Sequence, residues 1–181
     1  MKLTDVRAGA KKARTVGAKK SRSEKLVGRH MGPYAKGGQG VVRLHVDAAM
    51  GRRPTHDIPV SLQVKAMEAG LREFELTDLQ TSLDLSLERL FSLVGLSKAT
   101  FHRRRTTGAH LNPLVSDRVI RFAMLLSKAI KVFGSKDEAN KWLKSPQLGL
   151  GGAVPLDFAK SEVGSREVEN LLGRIEYGVY T

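Results

Sequence analysis

The sequence predicts an all-α protein: a helix-turn-helix domain, then a small helical domain, with a mostly disordered basic arm at the N-terminus. From Ile58 onward, apolar residues recur at helical spacing, and residues typical of helix caps separate the apolar segments. Residues 1–54 instead combine basic residues with glycine, alanine and serine, and such a segment buries too little apolar surface to offset its backbone entropy. We therefore assign the arm to 1–54, the helix-turn-helix domain to 55–112 and the second helical domain to 113–181.

The net charge of +13 is concentrated in this arm. Residues 1–54 hold 14 of the 31 Lys and Arg residues but only three of the 18 acidic residues. A basic arm on a nearly neutral body is typical of a protein that contacts a polyanion. Within the arm, Val42, Leu44 and Val46 alternate with polar residues, which weakly indicates a strand at Val41–Val46.

The composition excludes several kinds of site. The chain has no cysteine, which removes disulfides, thiolate metal ligands and cysteine nucleophiles, and which fits a reducing cytosol. No apolar run approaches the roughly 18 residues that a membrane span needs. The basic N-terminus is not followed by the apolar segment of a secretory signal. We therefore expect a cytoplasmic protein with no membrane partner.

Cap residues predict where the helices of the second domain begin and end. A long helix is expected to begin near Ser116 and to end before Gly134. Ser135 then opens the next helix as part of a capping box. The last helix is expected to begin after Ser161 and to end before Gly178.

Two short helices joined at Gly95-Leu96-Ser97 match the helix-turn-helix pattern. The glycine permits the tight turn, the leucine fills the small core, and the serine caps the second helix, with Phe101 as its apolar anchor. That helix would enter the DNA major groove, where arginine can bind guanines and phosphates with two hydrogen bonds. The alternative is a basic helix face that is simply solvated. The predicted DNA-binding residues are Ser97, Lys98, Thr100, His102, Arg103, Arg104 and Arg105.

The residues give no basis for an enzyme. No two of the five histidines stand four residues apart on a helix as a metal-binding pair. The glycine-rich stretches at 37–40 and 149–152 lack the partner residues of phosphate- or dinucleotide-binding loops. No set of nucleophile, base and orienting residue is recognisable. We therefore expect no catalytic activity, no metal and no cofactor.

A series of short motifs in the second half of the chain resembles the Xre/ParS/MbcA antitoxins. The resemblance covers about residues 60–181 and includes the helix-turn-helix, while the arm lies outside it. The motifs, in order, are Ser116-Asp117-Arg118, Phe133-Gly134, Trp142-Leu143, Ser145-Pro146, Leu150-Gly151-Gly152, Pro155-Leu156-Asp157, Val168-Glu169 and Leu171-Leu172-Gly173-Arg174-Ile175-Glu176-Tyr177-Gly178.

The resemblance implies a function and two partners. The chain would be the antitoxin of a bacterial type II toxin–antitoxin system, and its partner a RES-domain toxin that consumes NAD or transfers ADP-ribose from it. The C-terminal segment would occlude the toxin's active site. The chain would also bind its own operator DNA as an autorepressor. We expect a homodimer within a larger complex, because two half-sites multiply the modest specificity of one recognition helix.

The C-terminal residues suit such a contact. Tyr177 and Tyr180 offer large surfaces with polar tips, as interface anchors do. The alternative is a frayed terminus. With the resemblance, the residues assigned to toxin binding are Trp142, Arg174, Glu176, Tyr177, Gly178, Val179, Tyr180 and Thr181.

Two other functions remain open from the sequence. A non-specific nucleic-acid-binding protein that acts through the arm would show little sequence preference and a steep dependence of affinity on salt. A stand-alone helix-turn-helix transcriptional regulator would use its second domain only to dimerise. A RES-type reading frame beside this one would favour the antitoxin over the regulator.

Overall fold

The computed structural model describes residues 40–51 and 60–179. Within these ranges the prediction of an all-α protein is confirmed, and the segments that the model describes form no β-sheet. The helices are α1 Val41–Ala49, α2 Val60–Ala69, α3 Glu73–Leu83, α4 Leu87–Val94, α5 Lys98–Thr107, α6 Pro113–Phe133, α7 Lys136–Lys144, a 3-10 helix Leu148–Leu150, α8 Pro155–Phe158 and α9 Glu162–Glu176.

Helix α6 lies at the centre of the described residues. Its 21 residues place Val119, Phe122 and Leu126 on a fully buried stripe. Helices α1, α2, α3, α4, α7 and α9 all pack against it. The helix-turn-helix and the C-terminal helices therefore share one hydrophobic core.

Helix α6 begins three residues before the predicted start at Ser116. Asn112 is the N-cap and accepts a hydrogen bond from Val115 N at 2.8 Å, and Pro113 occupies the first turn. Ser116 is buried inside the helix, where its hydroxyl accepts from Leu71 N at 2.9 Å. The serine therefore connects α6 to the segment before α3 instead of capping its own helix.

The other predicted caps of the second domain are confirmed. Ser135 accepts from Glu138 N at 3.2 Å at the start of α7. Ser161 accepts from Gly164 N at 3.0 Å at the start of α9. Gly134 ends α6 in the left-handed conformation, with φ of 76°.

The prediction of a strand at Val41–Val46 is wrong, because these residues begin helix α1. Val41 and His45 are buried together with Val42, Leu44 and Val46. The buried residues therefore cover one broad face of a helix and are not the alternate residues of a strand. Helix α1 packs on α3 and α6, so the C-terminal part of the segment assigned to the arm belongs to the folded body. Residues 1–39 of the arm lie outside the described residues.

A buried carboxylate from another helix caps α1. The backbone N–H groups of Val41 and Val42 donate to the two carboxylate oxygens of Glu75 in α3, at 2.7 and 3.0 Å. A Cβ at Gly40 would lie 2.4 Å from Glu75 Oε2, so any larger residue would displace the carboxylate. Burial raises the pKa of Glu75, while its hydrogen bonds to Val42 and Val41 act in the opposite direction.

Polar contacts also connect the helix-turn-helix to the C-terminal helices. Arg89 of α4 forms an ion pair with Asp157 of α8, and its hydrogen bond holds the pKa of Asp157 below the ordinary value. Asn140 of α7 donates to Ser82 O at 3.0 Å. These contacts attach the end of α3 and the first turn of α4 to the C-terminal helices, and all the described residues fall in one compact unit.

Candidate functional site

The turn between α4 and α5 has the predicted helix-turn-helix geometry. Gly95 is left-handed, with φ of 71°, and its N–H donates to Phe91 O at 2.9 Å. Leu96 is buried. Ser97 caps α5 by accepting from Thr100 N at 3.2 Å. Each of the three turn residues therefore has the role that its type predicts.

Arg118 of α6 fixes this turn from behind, a contact that sequence reasoning missed. Its guanidinium donates to Val94 O at 2.9 Å, the last residue of α4. The left-handed φ of Gly95 favours glycine, and a Cβ at this position would displace the Arg118 guanidinium from the turn. The two residues are far apart in sequence, and no local pattern connects them.

Helix α5 is held on one side and open on the other. Phe101 is its one buried residue, and its ring lies 5.1 Å from that of Phe91. Lys98, Thr100, His102, Arg103 and Arg105 lie away from this contact: four of them are exposed and Thr100 is half-buried. This leaves a continuous polar face available to a ligand.

Arg104 differs from the arginines on either side. It is half-buried, and its guanidinium donates to the backbone oxygen of His110. The next residue, Leu111, donates its N–H to Leu71 O at 2.7 Å. Arg104 therefore ties the end of α5 to the loop that follows it, and it faces the protein rather than solvent.

The segment that contains α5 is basic. Residues 89–116 contain five Lys and Arg residues and no Asp or Glu. Lys98, Arg103 and Arg105 are exposed on α5, and exposed cations on a helix attract the phosphates of nucleic acids. The geometry and the charge of α5 therefore suit the same ligand.

The end of α9 forms a second exposed site. Val179 N donates to Arg174 O at 2.9 Å and Gly178 N to Ile175 O at 3.2 Å. With Gly178 left-handed at φ of 67°, this is a Schellman motif, which turns the chain away from the helix axis. The side chain of Tyr177 is 80% exposed and that of Val179 is 52% exposed.

Of the residues assigned to toxin binding, Arg174 and residues 176–179 lie together at the end of α9, whereas Trp142 lies on another helix. Arg174 forms an ion pair with Glu167 at 3.1 Å, and Glu176 is exposed beside Tyr177. Trp142 lies on α7, where its ring packs against Phe133 with centroids 5.5 Å apart. Tyr180 and Thr181 lie outside the described residues.

Among residues 40–51 and 60–179, no group of three or more His, Asp or Glu side chains is placed to hold a metal ion. None of the helices described there is both long and apolar enough to cross a membrane.

Two family models match the chain. Residues 74–124 match the Antitoxin Xre-like helix-turn-helix domain. Residues 128–178 match the Antitoxin Xre/MbcA/ParS C-terminal toxin-binding domain. The boundary between the two matches lies inside helix α6, whereas the sequence predicted a domain boundary between residues 112 and 113, at the start of this helix.

Curated proteins that are similar to this chain are also named antitoxins. The chain is 35% identical to Antitoxin Xre of Yersinia enterocolitica over 88 residues, which are 48% of this chain and 60% of the relative. It is 33% identical to Antitoxin Xre of Photorhabdus laumondii over 91 residues, 50% of this chain and 62% of the relative. It is also 21% identical over 127 residues to the Prs ADP-ribosylating antitoxin of a Sphingobium species, 65% of this chain and 80% of the relative.

The chain thus spans about 60% of the length of the first two relatives. The two matched domains follow one another in the order that the sequence motifs predicted. The chain belongs to the Xre/MbcA/ParS family of antitoxins.

Proposed function

We propose that this chain neutralises a RES-domain toxin, NAD-consuming or ADP-ribosylating, by placing its C-terminal segment in the toxin's active site. It also binds its own operator as a homodimeric repressor in the bacterial cytoplasm, and it needs neither cofactor nor catalysis of its own. The observation that carries the proposal is the exposed tail at the end of α9, within the stretch that matches a toxin-binding domain.

The geometry of the tail supports occlusion. The Schellman motif at Gly178 fixes where the chain leaves α9, so Tyr177 and the residues after it start from a rigid base. A pre-positioned aromatic side chain loses little conformational freedom on binding. Such a tail suits insertion into a cleft in a partner.

The chemistry of the toxin is inferred from one relative. The Sphingobium protein is named an ADP-ribosylating antitoxin, which associates ADP-ribose with this kind of system. ADP-ribose transfer uses NAD, so the toxin pocket would accept NAD, and the antitoxin tail would compete with it.

The exposed polar face of α5 supports the second proposed activity, which is binding to operator DNA. Ser97, Lys98 and Thr100 lie in the first turn, the part of a recognition helix that contacts base edges. His102, Arg103 and Arg105 would contact phosphates or guanines, and Arg104 would position the helix. Two copies bound to two half-sites would give the specificity that one helix lacks.

Deletion of Tyr177 to Thr181 tests the occlusion. We expect the shortened chain to lose protection of growth against the co-expressed toxin while it still shifts DNA from upstream of its own reading frame. A chain with Leu114→Ala, altered at an exposed leucine of α6, serves as the control that keeps both activities. Full protection by the shortened chain would contradict the occlusion model.

A further inference from the structure

The turn between α7 and α8 presents a leucine to solvent. The side chain of Leu148, at the start of the 3-10 helix, is 97% exposed, more than any other large apolar side chain in the described part of the chain. Single exposed leucines are common on protein surfaces, so exposure alone does not mark Leu148 as a binding residue.

Hydrogen bonds make this turn rigid. Gln147 N donates to Ala153 O at 3.0 Å, and Gly152 N donates back to Gln147 O at 2.9 Å. The side-chain amide of Gln147 donates to Trp142 O at 3.1 Å. Leu148 therefore projects from a closed loop that is anchored to α7.

The turn also lies directly on α9, the helix that ends in the tail. A Cβ at Gly149 would lie 2.7 Å from Leu171 Cδ1, so the backbone of the turn touches this leucine. Leu171 precedes Tyr177 by six residues, about 9 Å along a helix axis. The turn that carries Leu148 and the tail therefore both adjoin α9.

The loop that carries Leu148 contains no charged residue. The twelve residues 145–156 contain no Asp, Glu, Lys or Arg, in a chain of which 27% is charged. Depletion of charged residues is the compositional mark of an interface core. Burial of an exposed leucine by a partner removes apolar surface from water, which favours association.

We propose that Leu148 is a second contact with the toxin, inserted into an apolar pocket beside the mouth of the toxin's active site. This inference rests on the proposed antitoxin function. The tail blocks the pocket, and Leu148 supplies affinity and fixes the position of α9 on the toxin. Because the loop is already ordered, little freedom is lost when the side chain is buried.

Binding measurements on Leu148→Ala and Leu148→Asp test this proposal. The probe is the toxin encoded beside this chain, separated from the co-purified complex under denaturing conditions and refolded. We expect about a tenfold loss of affinity for Leu148→Ala and a larger loss for Leu148→Asp. Leu114→Ala and Leu114→Asp, at a leucine that is 61% exposed on α6, should bind like the unaltered chain.

A photo-crosslinking residue placed at position 148 provides a test that does not depend on loss of binding. A crosslink to the toxin from position 148, and none from position 114, supports the proposal. Unchanged affinity of both Leu148 variants, or a crosslink only to a second copy of this chain, overturns it. Failure of the unaltered chain to bind the toxin would instead overturn the proposed function itself, so the two failures are distinguishable.

Discussion

The three consecutive arginines of α5 have different environments. Arg103 and Arg105 are exposed, while Arg104 is half-buried and donates to the carbonyl oxygen of His110. Arg104 follows the buried Phe101 by three residues and so lies on the same face of the helix, whereas Arg103 and Arg105 lie off that face. An exposed arginine and a structural one are therefore adjacent in the chain.

We expect Arg103→Ala to weaken operator binding and to reduce the slope of log affinity against log salt by about one, because one phosphate contact is lost. Arg104→Ala should weaken binding and also lower the thermal unfolding midpoint. Mobility shifts at several salt concentrations, with calorimetry, separate the two effects. Lys131→Ala, at an exposed lysine at the end of α6, is the control. Unchanged affinity of Arg103→Ala would place the DNA surface elsewhere.

At the scale of elements, helix α1 is capped by a side chain from a distant part of the chain. Gly40, the N-cap residue, contributes no side-chain hydrogen bond, and the Glu75 carboxylate takes that role from α3. Loss of the carboxylate would leave two buried N–H groups without acceptors. The N-terminal end of α1 therefore depends on one residue of α3 for its cap.

Glu75→Ala should lower the free energy of unfolding by about 2 kcal/mol or more, since a buried donor without an acceptor costs about 1–3 kcal/mol. Urea denaturation measures the loss. Glu88→Ala, at an exposed glutamate in the first turn of α4, should change stability by less than about 1 kcal/mol. Equal stability of the two variants would mean that α1 does not need this cap.

The raised pKa of Glu75 also predicts a pH dependence. In the folded protein the pKa of Glu75 lies above its ordinary value of 4.5, so the carboxyl group releases its proton less readily than in the unfolded chain. Ionisation of Glu75 therefore opposes folding. The stability of the unaltered chain relative to Glu75→Gln should therefore be greatest at low pH and decrease as the pH rises through the folded-state pKa. Urea denaturation of both proteins above and below pH 4.5 measures this difference, and an increase with pH would contradict the assignment.

At the scale of the whole molecule, helix α6 belongs to both matched domains. The helix-turn-helix match ends at residue 124 and the toxin-binding match begins at 128, both inside this helix. Arg89 and Asp157 add a contact between the two parts. We infer that DNA-binding and C-terminal helices cannot unfold independently.

A single unfolding transition is therefore expected. Trp142 is the only tryptophan and lies in the toxin-binding part, so its fluorescence reports on that part, whereas far-ultraviolet circular dichroism reports on all helices. The two signals should give the same midpoint on heating, as in two-state unfolding. Arg89→Ala should lower both midpoints together. Separate midpoints would show that the domains fold independently.

The sequence by itself determined what depends on neighbouring residues. The helical spacing of apolar residues, the turn at Gly95-Leu96-Ser97 and the caps at Ser135 and Ser161 were all predictable, and the structure confirms them. Residues 116–178 also contain enough motifs in a fixed order to indicate the family. The assignment of individual residues to DNA or toxin binding stays a prediction.

The tertiary structure alone decided what depends on residues that are distant in the chain. Helix α1 forms within a segment that seemed too polar to fold, because α3 and α6 supply its apolar neighbours and Glu75 its cap. Arg118 reaches the turn after α4 from 24 residues away. Glu75 and Arg118 each satisfy a backbone group of a distant helix. The residues next to them in the sequence carry no sign of this role, because it arises from the energetic cost of leaving a buried backbone group without a hydrogen bond.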